Sequence, residues 1–139
     1  MNEQTDTHFV GKVAQKVIIV KGDSVLITRD SRDTIWELPG GRLDANENPE
    51  AGIKREVLEE LGVTIEVGQI IYVNQFVHSK DGSKAVVLVY QARLVDEAAK
   101  FTVDPIEVAQ MQWVNSATWE EYEFYPEYRI ALKKHFSSL

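Results

Sequence analysis

Apolar and polar positions along the chain follow a strand-like pattern, interrupted by two helical stretches. Residues 9–20 alternate loosely and end in the β-branched run Val17-Ile18-Ile19-Val20, which predicts a strand. Lys21-Gly22-Asp23 is a turn signal, and residues 24–29 predict the next strand. Residues 31–34 are polar and loop-like, and residues 36–42 hold the tight stretch Pro39-Gly40-Gly41. Asn48-Pro49 then starts a helix, with Asn at the N-cap and Pro in the first turn. That helix is predicted over residues 49–61, with Gly62 as its left-handed C-terminal cap. Strands are predicted over residues 64–77 and 84–94, with Asp81-Gly82 in the hairpin loop between them. A further strand over 106–114, a short helix or turn over 116–122 and a second helix over 126–136 complete the pattern. Strands with one central and one terminal helix predict an α+β or αβα layered domain. The chain has no repeat, low-complexity tract or linker, so one domain is expected over residues 1–139, with residues 1–8 a flexible tail.

Composition narrows the function. A length of 139 residues allows a real core in one domain. A net charge of −7 argues against an extended nucleic-acid surface. An acidic protein that handles an anionic phosphate needs cations or a few well-placed basic side chains. The absence of cysteine excludes disulfides and thiolate metal sites. Residues 1–8 carry no apolar signal-peptide core, and the longest apolar runs, 17–20 and 85–90, fall far short of the roughly 20 residues that span a bilayer. An unanchored cytoplasmic protein is expected.

The central helix carries the candidate chemistry. At about 100° per residue, Glu56, Glu59 and Glu60 project within one sector, while Ala51, Val57, Leu58 and Leu61 project from the other side towards a core. Three carboxylates on one face repel one another, and either solvent or hard divalent cations such as Mg²⁺ or Mn²⁺ relieve that repulsion. The glycine turn upstream lets backbone approach a ligand closely and can offer a carbonyl to a metal. Arg55 and Glu47 are placed to pair and to anchor the intervening loop to the helix.

Residues 41–63 read Gly, five residues, Glu, seven residues, Arg-Glu, an apolar residue, any residue, Glu-Glu, any residue, Gly and an apolar residue. This segment resembles the Nudix box at every fixed position, from Gly41 through Glu47, Arg55, Glu56, Val57, Glu59, Glu60 and Gly62 to Val63. The lead-in Trp36-Glu-Leu-Pro-Gly-Gly41, the strand Val25-Leu-Ile-Thr-Arg29 and the later Glu107 also resemble that family. The resemblance implies a mixed sheet sandwiched between helices, and Mg²⁺-dependent hydrolysis of a nucleoside diphosphate linked to another moiety. It implies that Glu56, Glu59, Glu60 and the Gly40 carbonyl bind metal. It further implies that Glu47 and Arg55 shape the loop and helix, with Gly41 and Gly62 as structural positions. The general base stays open among Glu56, Glu59 and Glu107, and Glu107 is also read as a further ligand or as a surface residue at a strand start.

Substrate contacts are less determined. Arg29, Arg32 and Arg42 flank the glycine turn and suit phosphate, although solvent-exposed arginines read equally from sequence. Phe76, Tyr90, Trp119, Phe124 and Tyr125 are stacking candidates that also suit core or rim packing. His78 has no catalytic role in this reading, and His8 and His135 read as surface residues. The chain lacks proline from Thr64 to Asp104, against an ADP-ribose signature, and 124–128 lacks an asparagine suited to oxidised guanine. A small nucleotide such as a nucleoside triphosphate is therefore expected. Dinucleoside polyphosphates, nucleotide sugars, RNA 5′ ends and binding without turnover are the alternatives, and a homodimer fits similar proteins.

Overall fold

The computed structural model describes residues 7–139. Of the tail expected over residues 1–8, residues 1–6 lie outside the described residues, and residues 7–11 are exposed and non-regular. The strands are β1 Lys12–Lys21, β2 Ser24–Arg29, β3 Gly40–Arg42, β4 Ile65–Val77, β5 Lys84–Leu94 and β6 Gln110–Val114. The helices are α1 Pro49–Leu61 and α2 Pro126–Ser137, with a single 3-10 turn at Trp119–Glu121. No described helix is long and apolar enough to cross a membrane.

The strands form one mixed sheet in the order β4-β5-β1-β2-β6, with β3 also paired to β1. β1 is the hub: it runs parallel to β5 from Lys12 to Ile19, and antiparallel to β2 and β3. Its pairing with β2 is confined to Val20–Val25 and Lys21–Ser24 at the hairpin end, so the two strands splay apart towards Lys12. β3 fills the opening, with Lys16 opposite Gly40, Gln15 opposite Gly41 and Ala14 opposite Arg42. This splay is what seats the glycine turn in the middle of the domain.

Val17, Ile18 and Ile19 are all fully buried because both faces of the sheet are covered. Val17 and Ile19 pack with Ile53, Val57 and Leu61 of α1. Ile18 packs on the other face with Ala131 and Leu132 of α2. The expected αβα sandwich is therefore the fold. α1 starts where the sequence predicts: the Asn48 side chain accepts from the Glu50 N–H at 2.9 Å and the Ala51 N–H at 3.3 Å. Gly62, in the left-handed conformation, closes it with an N–H bond to the Leu58 carbonyl at 2.9 Å.

Three expectations need correction. β1 begins at Lys12, since its pairing with β5 begins there. The strand expected from residue 106 begins at Gln110. Asp104 instead folds residues 105–107 into a turn, its carboxylate accepting from the Ile106 N–H at 3.0 Å and its carbonyl from the Val108 N–H at 2.8 Å. The buried face of α1 is Gly52, Ile53, Val57, Glu60 and Leu61, whereas Ala51 is exposed and Leu58 is 54% exposed. The helix is rotated so that the i, i+4 row of Ile53, Val57 and Leu61 meets the sheet.

Truncating that row is therefore costly. Leu61→Ala should lose roughly 2–5 kcal/mol of stability, and Leu58→Ala no more than about 0.5 kcal/mol, as measured by urea denaturation. Equal losses would contradict the helix orientation.

Candidate active site

The site begins with two glycines. The Pro39 carbonyl accepts from the Val17 N–H at 2.9 Å, which draws the turn against β1. Gly40 has φ 141°, and a Cβ there would lie 2.0 Å from the Gln15 carbonyl oxygen, so no other residue fits. A Cβ on Gly41 would lie 2.3 Å from Glu56 Oε2, so the bare backbone is what lets that carboxylate approach β3.

The three glutamates of α1 occupy distinct environments. Glu60 is only 7% exposed, and its Oε1 accepts from the Gly40 N–H at 2.7 Å. Burial pushes its carboxyl up to about 7; Lys16 and the Gly40 N–H oppose the rise, while Glu107 and Glu37 add to it. Glu56 is half-buried, and its pKa is raised first by burial, with Arg55 opposing and with Glu59 and Glu107 adding to the rise. Glu59 faces solvent and is held by Arg55 at 3.2 Å. The single acidic sector expected from helix spacing is thus divided: Glu56 and Glu60 face the glycine turn, and Glu59 faces outward. Among the described residues, no three acidic or histidine side chains converge as a metal-holding group. Hydrogen bonds explain this, since Glu60 is turned into the Gly40 N–H and Glu59 is drawn to Arg55.

Arg55 and Glu47 form the expected pair, in a two-pronged contact of 2.6 and 3.0 Å. Glu47 Oε1 also accepts from the Asp44 N–H at 3.1 Å, which ties the loop to the helix. Arg55 further reaches Asp44 at 3.2 Å and Glu56 at 3.1 Å. Glu107 stands in the turn at 105–107, not at a strand start, and its charge is felt at both Glu56 and Glu60.

A cleft of about 440 Å³ opens beside β3, lined in part by Lys16, Glu37, Gly41, Arg42, Phe76 and Tyr128. Of the arginines singled out, Arg42 lines it; Arg29 instead donates to the Asp33 carbonyl and, at 3.2 Å, to Gln110. Arg32 is exposed and paired with Asp30 at 2.6 Å. Of the aromatic candidates, Phe76 and Tyr125 line the cleft, whereas Tyr90, Trp119 and Phe124 belong to the cores. His78 stands at the cleft wall. His135 is not a surface residue: it is buried on α2, with Nδ1 3.0 Å from Gln91 Nε2, and burial lowers its pKa.

Sequence reasoning passed over Lys16, Glu37, Glu127 and Tyr128, all of which line the cleft. Lys16 is buried; its Nζ lies 3.0 Å from Glu37 and 3.5 Å from the Gly40 carbonyl oxygen, and 5.5 Å from the centre of the Tyr128 ring. Its signal in the sequence is a lysine directly before the apolar run at Val17. Glu127 accepts from the Tyr72 hydroxyl, and from Asn74 Nδ2 at 3.2 Å.

The family model for the NUDIX domain matches residues 12–134, which include every element of the sheet and site. The chain belongs to the NUDIX family. A MutT-like protein of Streptomyces ambofaciens is 41% identical over 54 residues, covering 39% of this chain and 35% of that protein. An 8-oxo-dGTP diphosphatase of Proteus vulgaris is 37% identical over 57 residues, covering 38% of this chain and 51% of that protein. The matches thus span about half or less of these relatives' length. A solved structure of a MutT NUDIX hydrolase from Burkholderia pseudomallei has a TM-score of 0.72 at 25% identity, covering 88% of this chain and 96% of that one. The sheet between two helices described above is therefore the NUDIX fold.

The buried carboxyl of this NUDIX domain makes its stability depend on pH. The pKa of Glu60 in the folded chain, about 7, lies above its ordinary value of 4.5. Its contribution is therefore complete below pH 4.5 and lost as pH rises through 7. Glu60→Gln does not titrate, so in metal-free buffer it should gain on wild type between pH 4.5 and 8, by an amount on the order of 3 kcal/mol. Parallel stability curves for the two proteins would contradict the buried carboxyl.

Proposed function

We propose that this chain hydrolyses a phosphoric anhydride in a small nucleotide, a nucleoside diphosphate linked to another moiety, with a nucleoside triphosphate as the preferred form. The observation that carries this reading is the seating of Glu56 and Glu60 against the Gly40-Gly41 turn, beside a cleft of about 440 Å³. The Gly40 N–H and the bare Gly41 backbone draw the Glu60 and Glu56 carboxylates to the turn, and oxygen donors of this kind suit Mg²⁺, with Mn²⁺ as a substitute. Glu56, Glu60 and the Gly40 carbonyl would hold the ion, and Glu59 would join them on leaving Arg55.

Mg²⁺, when bound, would neutralise charge on the phosphates and would make the attacking water more acidic. The water oxygen bonds to phosphorus, the bridging P–O bond breaks and the freed phosphate leaves with its oxygen. A carboxylate takes the proton. Glu56, Glu59 and Glu107 are the candidates for that step. Glu47 and Arg55 act at one remove by fixing the loop to the helix. In the cleft, Arg42 suits the phosphates by charge, and the rings of Phe76, Tyr125 and Tyr128 suit a flat base. Arg29, occupied by the Asp33 carbonyl, has a loop-bracing role instead. The diphosphatase activity named for the relative of Proteus vulgaris supports the reaction class.

The test is a hydrolysis screen with and without Mg²⁺. It compares nucleoside triphosphates, dinucleoside polyphosphates, ADP-ribose and nucleotide sugars, with wild type beside Glu60→Gln. The expected result is Mg²⁺-dependent release from one substrate group, with Glu60→Gln falling further than the roughly 10–100-fold typical of changes outside a metal's own ligands. Cleavage that persists in Glu60→Gln, or no cleavage by folded wild type, overturns the reading.

A further inference from the structure

Lys16 is the only buried lysine or arginine among the described residues. Lysine is rarely buried unless a specific partner holds it. Its place is set by register, since Lys16 lies opposite Gly40 in the β1–β3 pair. Its ammonium is shared between the Glu37 carboxylate at 3.0 Å, the Gly40 carbonyl oxygen at 3.5 Å and the face of Tyr128. The neighbouring Gly40 N–H is bonded to Glu60. Lys16 therefore stands within the field of Glu60 and Glu37, and against a carbonyl that the proposed function assigns to a divalent cation. Burial alone disfavours an ammonium, and the Glu37 carboxylate and the face of the Tyr128 ring are the partners that offset it.

We infer that Lys16 is a resident counter-ion that competes with the divalent cation. It offsets the charge of Glu37 and of the buried Glu60 while the site is empty of metal, and it sets the cation affinity low. This rests on the reading that Gly40 and Glu60 belong to a cation site. Lys16 is a positioning residue in this scheme: it acts through the Gly40 carbonyl and through the charge of Glu60, without touching the reacting atoms. Glu37 tunes it in the opposite sense, since removing that carboxylate leaves the Lys16 charge uncompensated.

The sign of the effect separates this role from a structural one. A residue that merely braces the turn would, on removal, loosen the site and weaken cation binding. A competing charge would, on removal, strengthen it. The probe is Mn²⁺ alone, titrated by electron paramagnetic resonance into metal-free protein, with folding checked by thermal melting. Lys16→Met should bind Mn²⁺ about tenfold tighter, the scale of one unit charge at several ångströms in a partly screened site. Lys16→Arg should stay near wild type, and Glu37→Gln should bind more weakly. Lys16→Met leaves Glu37 without its partner, so the double variant Lys16→Met/Glu37→Gln guards against misfolding and should bind tighter than Glu37→Gln alone. Unchanged or weaker binding in folded Lys16→Met, or a double variant no tighter than Glu37→Gln, overturns the counter-ion. A Glu60→Gln protein that binds Mn²⁺ as wild type does would instead refute the cation site itself.

Discussion

The 2.7 Å hydrogen bond from the Gly40 N–H to the buried Glu60 carboxylate joins the two halves of the site. One half is a turn that only glycine can make, pinned to β1 through the Pro39 carbonyl and the β1–β3 pairs. The other is a helix whose Ile53, Val57 and Leu61 are locked into the core. Desolvating a carboxylate is costly, and Glu60 sits so close to the sheet because its own helix has no freedom to withdraw it. The same docking presses Glu56 against Gly41 and leaves Glu59 at the surface, so one contact grades the three carboxylates from buried to exposed.

The splaying of β1 from β2 gives the site two sides. α1 brings its carboxylates to the turn from one face of the sheet, and the cleft opens beside the turn under the start of α2. Lys16 and Glu37 meet in the gap, one from β1 and one from the segment bridged to Thr28 of β2. In a chain of net charge −7, the cleft sets Lys16, Arg42 and aromatic rings beside Glu37 and Glu127, and α1 carries Glu56, Glu59 and Glu60. The nucleoside end of a substrate needs flat, apolar walls, and its phosphates need cations.

Much of this was legible in the sequence where local signals act alone. The Asn48-Pro49 start, the Gly62 cap and the Glu47–Arg55 pair depend on short spacings and were readable. The αβα layering followed from the order of strands and helices. What tertiary contacts decide was not readable. Periodicity put Leu58 and Glu60 on the wrong sides of α1 because it fixes angles between residues and not the rotation of the helix against the sheet. β3 is three residues long and pairs only because β1 and β2 part. Lys16 carried no signal of its own beyond its place before Val17, since its burial depends on Glu37, Gly40 and Tyr128 from three other segments. His135 was read as surface because it lies near the end of the chain, yet it packs beside Gln91 of β5.

In the proposed function the glycine turn and the acidic helix form one cation site. The most direct measurement is a crystal structure of wild type with Mn²⁺ and a non-hydrolysable α,β-imido nucleoside triphosphate, with the ion located by anomalous scattering. The expected result is an anomalous peak at coordination distance, about 2.0–2.3 Å, from the Gly40 carbonyl and from oxygens of Glu56 and Glu60. A peak held elsewhere, with Glu60 still bonded to the Gly40 N–H and Glu56 free of the ion, would contradict it.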